Sequence, residues 1–322
     1  MNCQLYLNID PTQLAQPDFS VPSLQHMLAK SSIMQDTQVF EATLCSAFGV
    51  QKQQDWPAAA LAWLGEGNDP KQGCWFYADP VHFALQRDYF SLTLPAPVPL
   101  SAAESQTLLD SMNRHFYEEG LHFHIGSSGR WYMRTEEPAV IATSWLAQIA
   151  GRDVRDFMPQ GDDAEKWHSL LNEIQMLLHG QTVNHVREEQ GQPVVNSLWF
   201  SGGGMLPKNL TAPCHAVFTD HPLVKGLAMH AGVEPSALPP DFAALSASLK
   251  NMDKVVVVGL DDAAQAEENW FAPMLSALGR RKITQLSIDL FMQDQHLHAM
   301  LKPLDLWKVW RKPQPLSAYF SW

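Results

Sequence analysis

No apolar run in this chain is long enough to cross a bilayer: the longest run of Val, Ile or Leu is residues 255–258, and the first ten residues carry no basic leader region. The expectation is a cytoplasmic protein that is neither exported nor anchored in a membrane. Cysteine is scarce and scattered. Cys3, Cys45, Cys74 and Cys214 form no Cys-x-x-Cys pair, which argues against a disulfide framework or a zinc knuckle and predicts buried thiols in a reducing compartment. Positive charge is also in deficit, with 22 Lys plus Arg against 34 Asp plus Glu and a net charge of −12. Such a chain repels nucleic acid and anionic membranes, so neither is expected as a partner. Gly-x-Ser-x-Gly, Walker and dinucleotide fingerprints are missing. What the chain has is apolar mass: 46% hydrophobic residues and 11 tryptophans in 322 residues, enough for one large or two joined domains with a tightly packed core.

The first third reads as short units. A strand is expected at residues 5–9, a helix from Ser23, and a second helix from Asp36 as cap through Val39, Phe40, Leu44 and Phe48 to Gly49. Residues 65–73 form a loop, and the aromatic run at 74–77 and residues 91–94 read as strands. Ser101 caps a helix with Glu104 closing a capping box, and Leu108, Leu109, Met112 and Phe116 make its buried face. Residues 121–125 and 131–134, joined by Gly126-Ser127-Ser128-Gly129, make a hairpin. Asp162 is the expected cap of the best helix, striped by Trp167, Leu170, Leu171, Ile174, Leu177 and Leu178. Beyond Pro213, strands at 215–219, 254–258 and 283–290 alternate with helices around 223–230 and 268–278, which suggests a partly parallel sheet covered by helices.

The most specific local signal lies at residues 177–207. Asn184 and Arg187 stand three apart just after a helix end, Asn196 precedes an apolar strand, and Gly202, Gly203 and Gly204 follow it. Glycines after a strand let backbone N–H groups approach an anion, and an arginine can clamp phosphate or carboxylate through two parallel bonds. The plainer alternative is a bend needing positive φ, with Arg187 paired to Glu188 or Glu189. His122-x-His124 and His296-x-His298 each put two imidazoles on one strand face, but without acidic partners nearby in sequence they read as packing or surface residues rather than metal ligands. Asp162-Asp163 and Glu188-Glu189 read as a helix cap and a polar segment, not as acid–base pairs.

Val-Asn-x-x-Arg, then Gly-x-Pro-x-x-Asn, then a strand ending in glycines with Pro207 close behind, resembles the archaeal-type cofactor-independent phosphoglycerate mutases of the alkaline phosphatase superfamily. A proteobacterial group labelled RpfE-type regulatory proteins is similar too, through Ala78-Asp79-Pro80-Val81-His82, Arg87-Asp88, residues 172–179 and residues 196–200. The resemblance spans roughly residues 60–230 and implies an alkaline-phosphatase-like α/β fold, with a partly parallel sheet covered by helices and a smaller α+β cap. The implied division is a core from residues 1–64 and 214–322, with 65–213 as the mutase-like insert. It also implies that Asn184, Arg187 and Asn196 border a former phosphoglycerate pocket, with Gly202, Gly203, Gly204, Arg87 and Arg152 as further ligand-binding candidates.

The departures from the mutase pattern carry as much weight. Gln181-Thr182 stands where mutases have His-Pro, and Ser201 where they open the glycine cluster with Arg. The superfamily activates a serine or threonine with two divalent metals held by Asp and His ligands, because paired metals neutralise attacking and leaving oxygens. The corresponding strands here end in Asp10, in Asp261-Asp262 and around Asp289, with no Asp-His pair, and a lone Asp at a strand end reads as a turn or cap residue. No cofactor is therefore expected, and Mn or Mg only if the protein is active. The leading expectation is a catalytically degenerate relative that binds a small phosphorylated or carboxylated metabolite in a regulatory role. One alternative is an active metal-dependent mutase or phosphatase using Ser197, Ser201 or the histidines. Another is an interaction protein whose aromatic tail, residues 307–322, docks a partner or a second copy to form a homo-oligomer.

Overall fold

The computed structural model describes residues 1–14, 16, 19–70, 72–249, 254–260 and 262–320. Its strands, in chain order, are β1 (Asn2–Asn8), β2 (Ser32–Asp36), β3 (Cys74–Val81), β4 (Phe83–Leu85), β5 (Phe90–Leu92), β6 (Leu121–Ile125), β7 (Trp131–Thr135), β8 (Ser197–Gly204), β9 (Ala216–Thr219), β10 (Pro235–Ser236), β11 (Lys254–Val258), β12 (Gln285–Met292) and β13 (Gln295–Leu301). They belong to two compact units, Met1–Gly49 with Leu210–Trp322, and Val50–Asn209. The architecture is the helix-covered, partly parallel sheet with a separate α+β unit that the resemblance implies, although the second unit nearly matches the first in length rather than forming a smaller cap.

The first unit holds a seven-stranded sheet in the order β10-β9-β11-β1-β12-β13-β2. From β10 to β12 every pairing is parallel, and β13 and β2 close one side antiparallel. The run of valines in β11 is buried at four consecutive positions, the pattern of a central parallel strand covered on both faces. Elsewhere the two faces differ. Cys3, Leu5 and Leu7 of β1, with Leu286, Ile288 and Leu290 of β12, join a core built with Leu24, Met27, Leu28, Met274 and Leu278. Those last five come from helices Pro22–Lys30 and Ala272–Gly279. Each fully buried aliphatic side chain contributes about 1.5–3 kcal/mol relative to exposure. The alternate residues Gln4, Tyr6 and Asp289 point to the other face, where a polar network forms.

Two expectations fail locally in this unit. Asp36 does not cap a helix; residues 32–36 pair with β13, and the helix spans Phe40–Ala47 with no side-chain cap. A partner strand outcompetes the local capping signal here, because it satisfies a row of backbone groups at once. The helix expected at 268–278 begins earlier, at Ala263, capped by Asp262, and passes through a π turn at Glu267–Phe271 just before Pro273, which has no N–H to donate. Glu267, nearly buried, accepts the backbone N–H of Ser23 at 2.7 Å and so caps helix Pro22–Lys30 from a distant part of the chain.

The second unit is a four-stranded antiparallel sheet, β6-β7-β3-β8, with β4 and β5 as a separate hairpin. Phe76, Ala78, Met133, Leu198 and Phe200 face a core closed by helices Ala102–His115 and Ala164–His179. The Ser101–Glu104 capping box forms as expected. Asp162 does not cap the second of these helices: Asp163 holds that position, and its carboxylate accepts Val140 N at 2.6 Å instead. Helix Ala58–Gly65 packs on the opposite face, with Trp63 stacked on Trp75 at 5.1 Å, so residues 50–64 belong to this unit.

All four cysteines are buried and free. Burial pushes the thiol of Cys3 up to about 12 and those of Cys74 and Cys214 up to about 11, which keeps them protonated and unreactive at neutral pH. Among the described residues no helix is long and apolar enough to cross a membrane.

Candidate functional site

Asn184 and Arg187 lie not in a loop but on one helix, Thr182–Glu189, whose buried face they form. Asn184 donates to Leu178 O at 2.8 Å and Val195 O at 2.7 Å and accepts from Val195 N at 2.9 Å. It ties the end of helix Ala164–His179 to the chain entering β8. Asn196 accepts from Phe83 N and donates to Phe83 O, both at 2.8 Å, and so extends a strand pairing with its side chain. Arg187 is 4% exposed. Its Nε donates to Pro193 O at 2.7 Å, Nη1 to Glu104 Oε1 at 2.8 Å and Nη2 to Pro99 O at 3.3 Å. The guanidinium fork is thus closed by the protein's own oxygens. Its acidic partner is Glu104, not the neighbouring Glu188 or Glu189. Slight burial would push the Glu104 carboxyl up, but bonds from Ser101 and Arg187 outweigh this and hold it below its ordinary range.

The glycine cluster ends β8 and is buried throughout. A Cβ on Gly203 would lie 2.1 Å from Phe76 Cε1, and one on Gly202, at φ +64°, would press on Trp145 and Tyr77 at 3.0 Å. The glycines therefore serve close packing beside a register shift in the β3–β8 pairing. A carboxyl group of the protein's own sits at this cluster. The carboxylate of Asp55, 4% exposed, accepts backbone bonds from Gly203, Trp56 and Thr143 and the Thr143 hydroxyl. Burial pushes the Asp55 carboxyl up, with these bonds acting against it. A cavity of about 360 Å³ opens beside it, lined in part by Gln53, Cys74 and Ile141.

The remaining candidates are dispersed. Arg87 is exposed at the turn of the β4–β5 hairpin, and Arg152 is exposed with its guanidinium 5.7 Å from the Phe157 ring. The bonds of Asn184, Arg187 and Asn196 run neither to one another nor to these arginines. Ser197 Oγ lies 3.3 Å from Leu198 O, and Ser201 Oγ is buried without a partner; neither bonds an imidazole. Asp79, fully buried, takes a two-pronged bond from Arg130 at 3.1 and 2.9 Å, and that guanidinium lies 3.5 Å from the centre of the Tyr77 ring. His122 pairs with Glu136 at 3.0 Å, and His124 packs against Trp63 and Trp75.

Sequence reasoning missed one constellation. Asp289, inside β12, accepts His296 Nε2 at 2.9 Å and His298 Nδ1 at 2.8 Å on Oδ1, and Gln4 at 3.1 Å on Oδ2. His296 Nδ1 meets Asp36 at 3.0 Å, and its ring stacks on Phe291 at 4.5 Å. The acidic partners absent from the neighbouring sequence come from neighbouring strands. Counting outward from the two-residue turn Gln293-Asp294 sets Asp289 opposite His298 and could have found them.

These groups bond one another rather than converging on a shared point. Among the described residues no set of three or more His, Cys, Asp or Glu could hold a metal ion. Asp10 is exposed and accepts Thr12 N in a turn, Asp262 caps a helix, and Asp261 lies outside the described residues. The side chains that are described do not fit a pair of divalent metals at the positions the resemblance points to.

Fold and site together define a two-unit α/β protein in which Asn184, Arg187 and the glycine cluster are buried and bonded or packed within the fold. By sequence it is a distant homologue of the cofactor-independent phosphoglycerate mutases. It is 27% identical over 142 residues to the 2,3-bisphosphoglycerate-independent phosphoglycerate mutase of Methanosarcina mazei, covering 42% of this chain and 36% of that protein. It is 26% identical over 147 residues to the Methanosarcina acetivorans enzyme of the same name, covering 44% and 37%. The matched segment thus spans little more than a third of the length of these relatives. No family model matches the chain. Among solved structures, the cofactor-independent phosphoglycerate mutase of Thermoplasma acidophilum is 15% identical with a TM-score of 0.38, covering 94% of this chain and 90% of that one. A Pyrococcus horikoshii protein is 14% identical with a TM-score of 0.49, covering 93% and 87%.

Proposed function

We propose that this protein is a catalytically degenerate relative of the phosphoglycerate mutases that acts through binding, in a regulatory role of the kind the RpfE-type label describes, and not through turnover of phosphoglycerate. The observation that carries this reading is the buried, occupied fork of Arg187: each of its three nitrogens already donates to an oxygen of the protein, at Pro193, Glu104 and Pro99, so the two-pronged face that would clamp a substrate anion is committed to the fold. The Asp55 carboxylate at Gly203 supports it in the same way, since it fills the anion position of the glycine cluster.

A retained pocket for a small phosphorylated or carboxylated metabolite finds less support. A cavity of about 540 Å³ in the second unit is lined by Glu118, Glu119, Glu136, Glu137, Asp163 and Glu173 against the single cation Lys166, a setting that repels phosphate. The test is an assay of 3-phosphoglycerate conversion with manganese, in which no 2-phosphoglycerate above the protein-free control is expected. Manganese-dependent turnover would sink the proposal. A thermal stabilisation by 3-phosphoglycerate alone, about 2.7 kcal/mol at a hundred times its dissociation constant, would leave the loss of catalysis standing and restore the metabolite as ligand.

A further inference from the structure

Arg280-Arg281-Lys282 is the one run of three cations in a chain of net charge −12, and none of the three side chains makes a hydrogen bond or an ion pair with another described residue. A cation just past a helix C-terminus is favoured by the carbonyls left open there, which accounts for Arg280 after helix Ala272–Gly279. It does not account for the turn that follows. Arg281 adopts φ +60°, the left-handed conformation that glycine usually takes at such an end, and the chain doubles back so that Lys282 N donates to Ala277 O at 2.9 Å. The turn thereby brings Lys282 to the same groove as Arg280.

That groove, of about 480 Å³, lies between the helix and its neighbour Phe242–Ser248, and its volume is within the roughly 300–1,000 Å³ of small-molecule sites. Phe242, Ala243, Ala247, Pro273 and Ala277 make it largely apolar. Ser246 and Ser276 also line it, and neither hydroxyl bonds a described residue. No acid is among the described residues that line it. The acid nearest in sequence, Asp241, is turned to the backbone N–H of Ala244 at 2.7 Å. Apolar walls around charges of one sign concentrate their field, so the groove draws an anion although the chain as a whole repels one. Two cations with two hydroxyls suit phosphate better than carboxylate. A phosphate monoester carries close to two negative charges near neutral pH and spreads them over three oxygens, whereas a carboxylate would leave one cation unmatched.

We propose that this groove binds a phosphate monoester carried on a small apolar body, with the phosphate at Arg280 and Lys282 and the body against Phe242, Pro273 and Ala277. The site gives the binding role proposed above a ligand class, and it rests on that reading for its use but not for its test: phosphoglycerate turnover would overturn the one and leave the other to a titration. Calorimetry of the full chain with phenyl phosphate should show affinity at least about tenfold higher than for inorganic phosphate, which lacks the apolar body, or phenyl sulfate, which carries a single charge. Arg280→Gln/Lys282→Gln should lose roughly tenfold or more of that affinity. Ala247→Phe, which obstructs the groove and leaves both cations in place, should lose as much. All three positions are exposed, so neither variant disturbs the core. Phenyl phosphate that binds no better than inorganic phosphate or phenyl sulfate overturns the proposal, as does binding that both variants leave unchanged. So does a wild-type chain that gives no binding heat with phenyl phosphate up to about 10 mM.

Discussion

Arg187 Nη1 lies 2.8 Å from Glu104 Oε1, and Glu104 also closes the capping box of its own helix by accepting Ser101 N at 2.8 Å. One carboxylate thereby joins the start of helix Ala102–His115 to the buried face of helix Thr182–Glu189. A residue used in this way is part of the scaffold, and its removal should register as lost stability. Arg187→Ala should lower the unfolding free energy by about 3 kcal/mol, since it strands Glu104 and two carbonyl oxygens. Denaturant unfolding measures this. A variant as stable as the wild type would return Arg187 to the list of free ligand groups.

Gly203→Ala tests the reading of the glycine cluster. The added methyl would lie 2.1 Å from the Phe76 ring, which is itself packed on Trp167 at 4.6 Å between centroids and has little room to retreat. Overpacking of this kind costs about 1–3 kcal/mol. If the cost is steric, Phe76→Leu/Gly203→Ala should lose clearly less than the sum of its single variants, a coupling that unfolding curves of the three proteins would show. Simple additivity would point instead to a role for the Gly203 backbone alone.

The predictability of these features from sequence followed the range of the interaction. The Ser101–Glu104 box and the hairpin β6–β7 were legible because their partners lie a few residues apart. The partner of Arg187 was not, because Glu104 stands 83 positions away and the nearer Glu188 and Glu189 satisfy the same local rule. Asp36 shows the same limit for secondary structure. Its capping chemistry was real, yet residues 32–36 took up a strand pairing with β13, some 260 positions on. The helix carrying Asn184 went unread for a different reason: its residues include three β-branched positions and an asparagine, so local propensity says little.

Asp79 and Arg130 give a third prediction. The carboxylate is fully buried, whereas the arginine side chain is 27% exposed. Removing the cation by Arg130→Met keeps much of the stem's packing over Tyr77 but leaves a buried charge without its partner, a loss of about 3 kcal/mol. Arg130→Lys, which keeps the charge and loses the two-pronged geometry, should fall between that variant and the wild type. Thermal unfolding of the three proteins would order them. Equal stability of the Met and Lys variants would show that geometry, not charge, holds Asp79.

The cluster around Asp289 sets a pH dependence whose sign follows from its two members. The bond to Asp289 raises His298 above its ordinary 6.5, against partial burial, so its contribution is fully present below 6.5 and is lost as pH rises through the folded value. Burial alone would push the Asp289 carboxyl up, but bonds from His296, His298 and Gln4 outweigh it and leave it below 3.8. Its contribution is present above 3.8 and is lost only as pH falls through that depressed value. Both contributions therefore coexist between 3.8 and 6.5. His298→Gln can keep a hydrogen bond to Asp289 and cannot titrate, so its stability should fall less steeply than that of the wild type above 6.5. Urea unfolding at intervals over roughly pH 5–9 reads the two slopes. Parallel curves above 6.5 would mean that His298 does not carry the proton this geometry assigns to it.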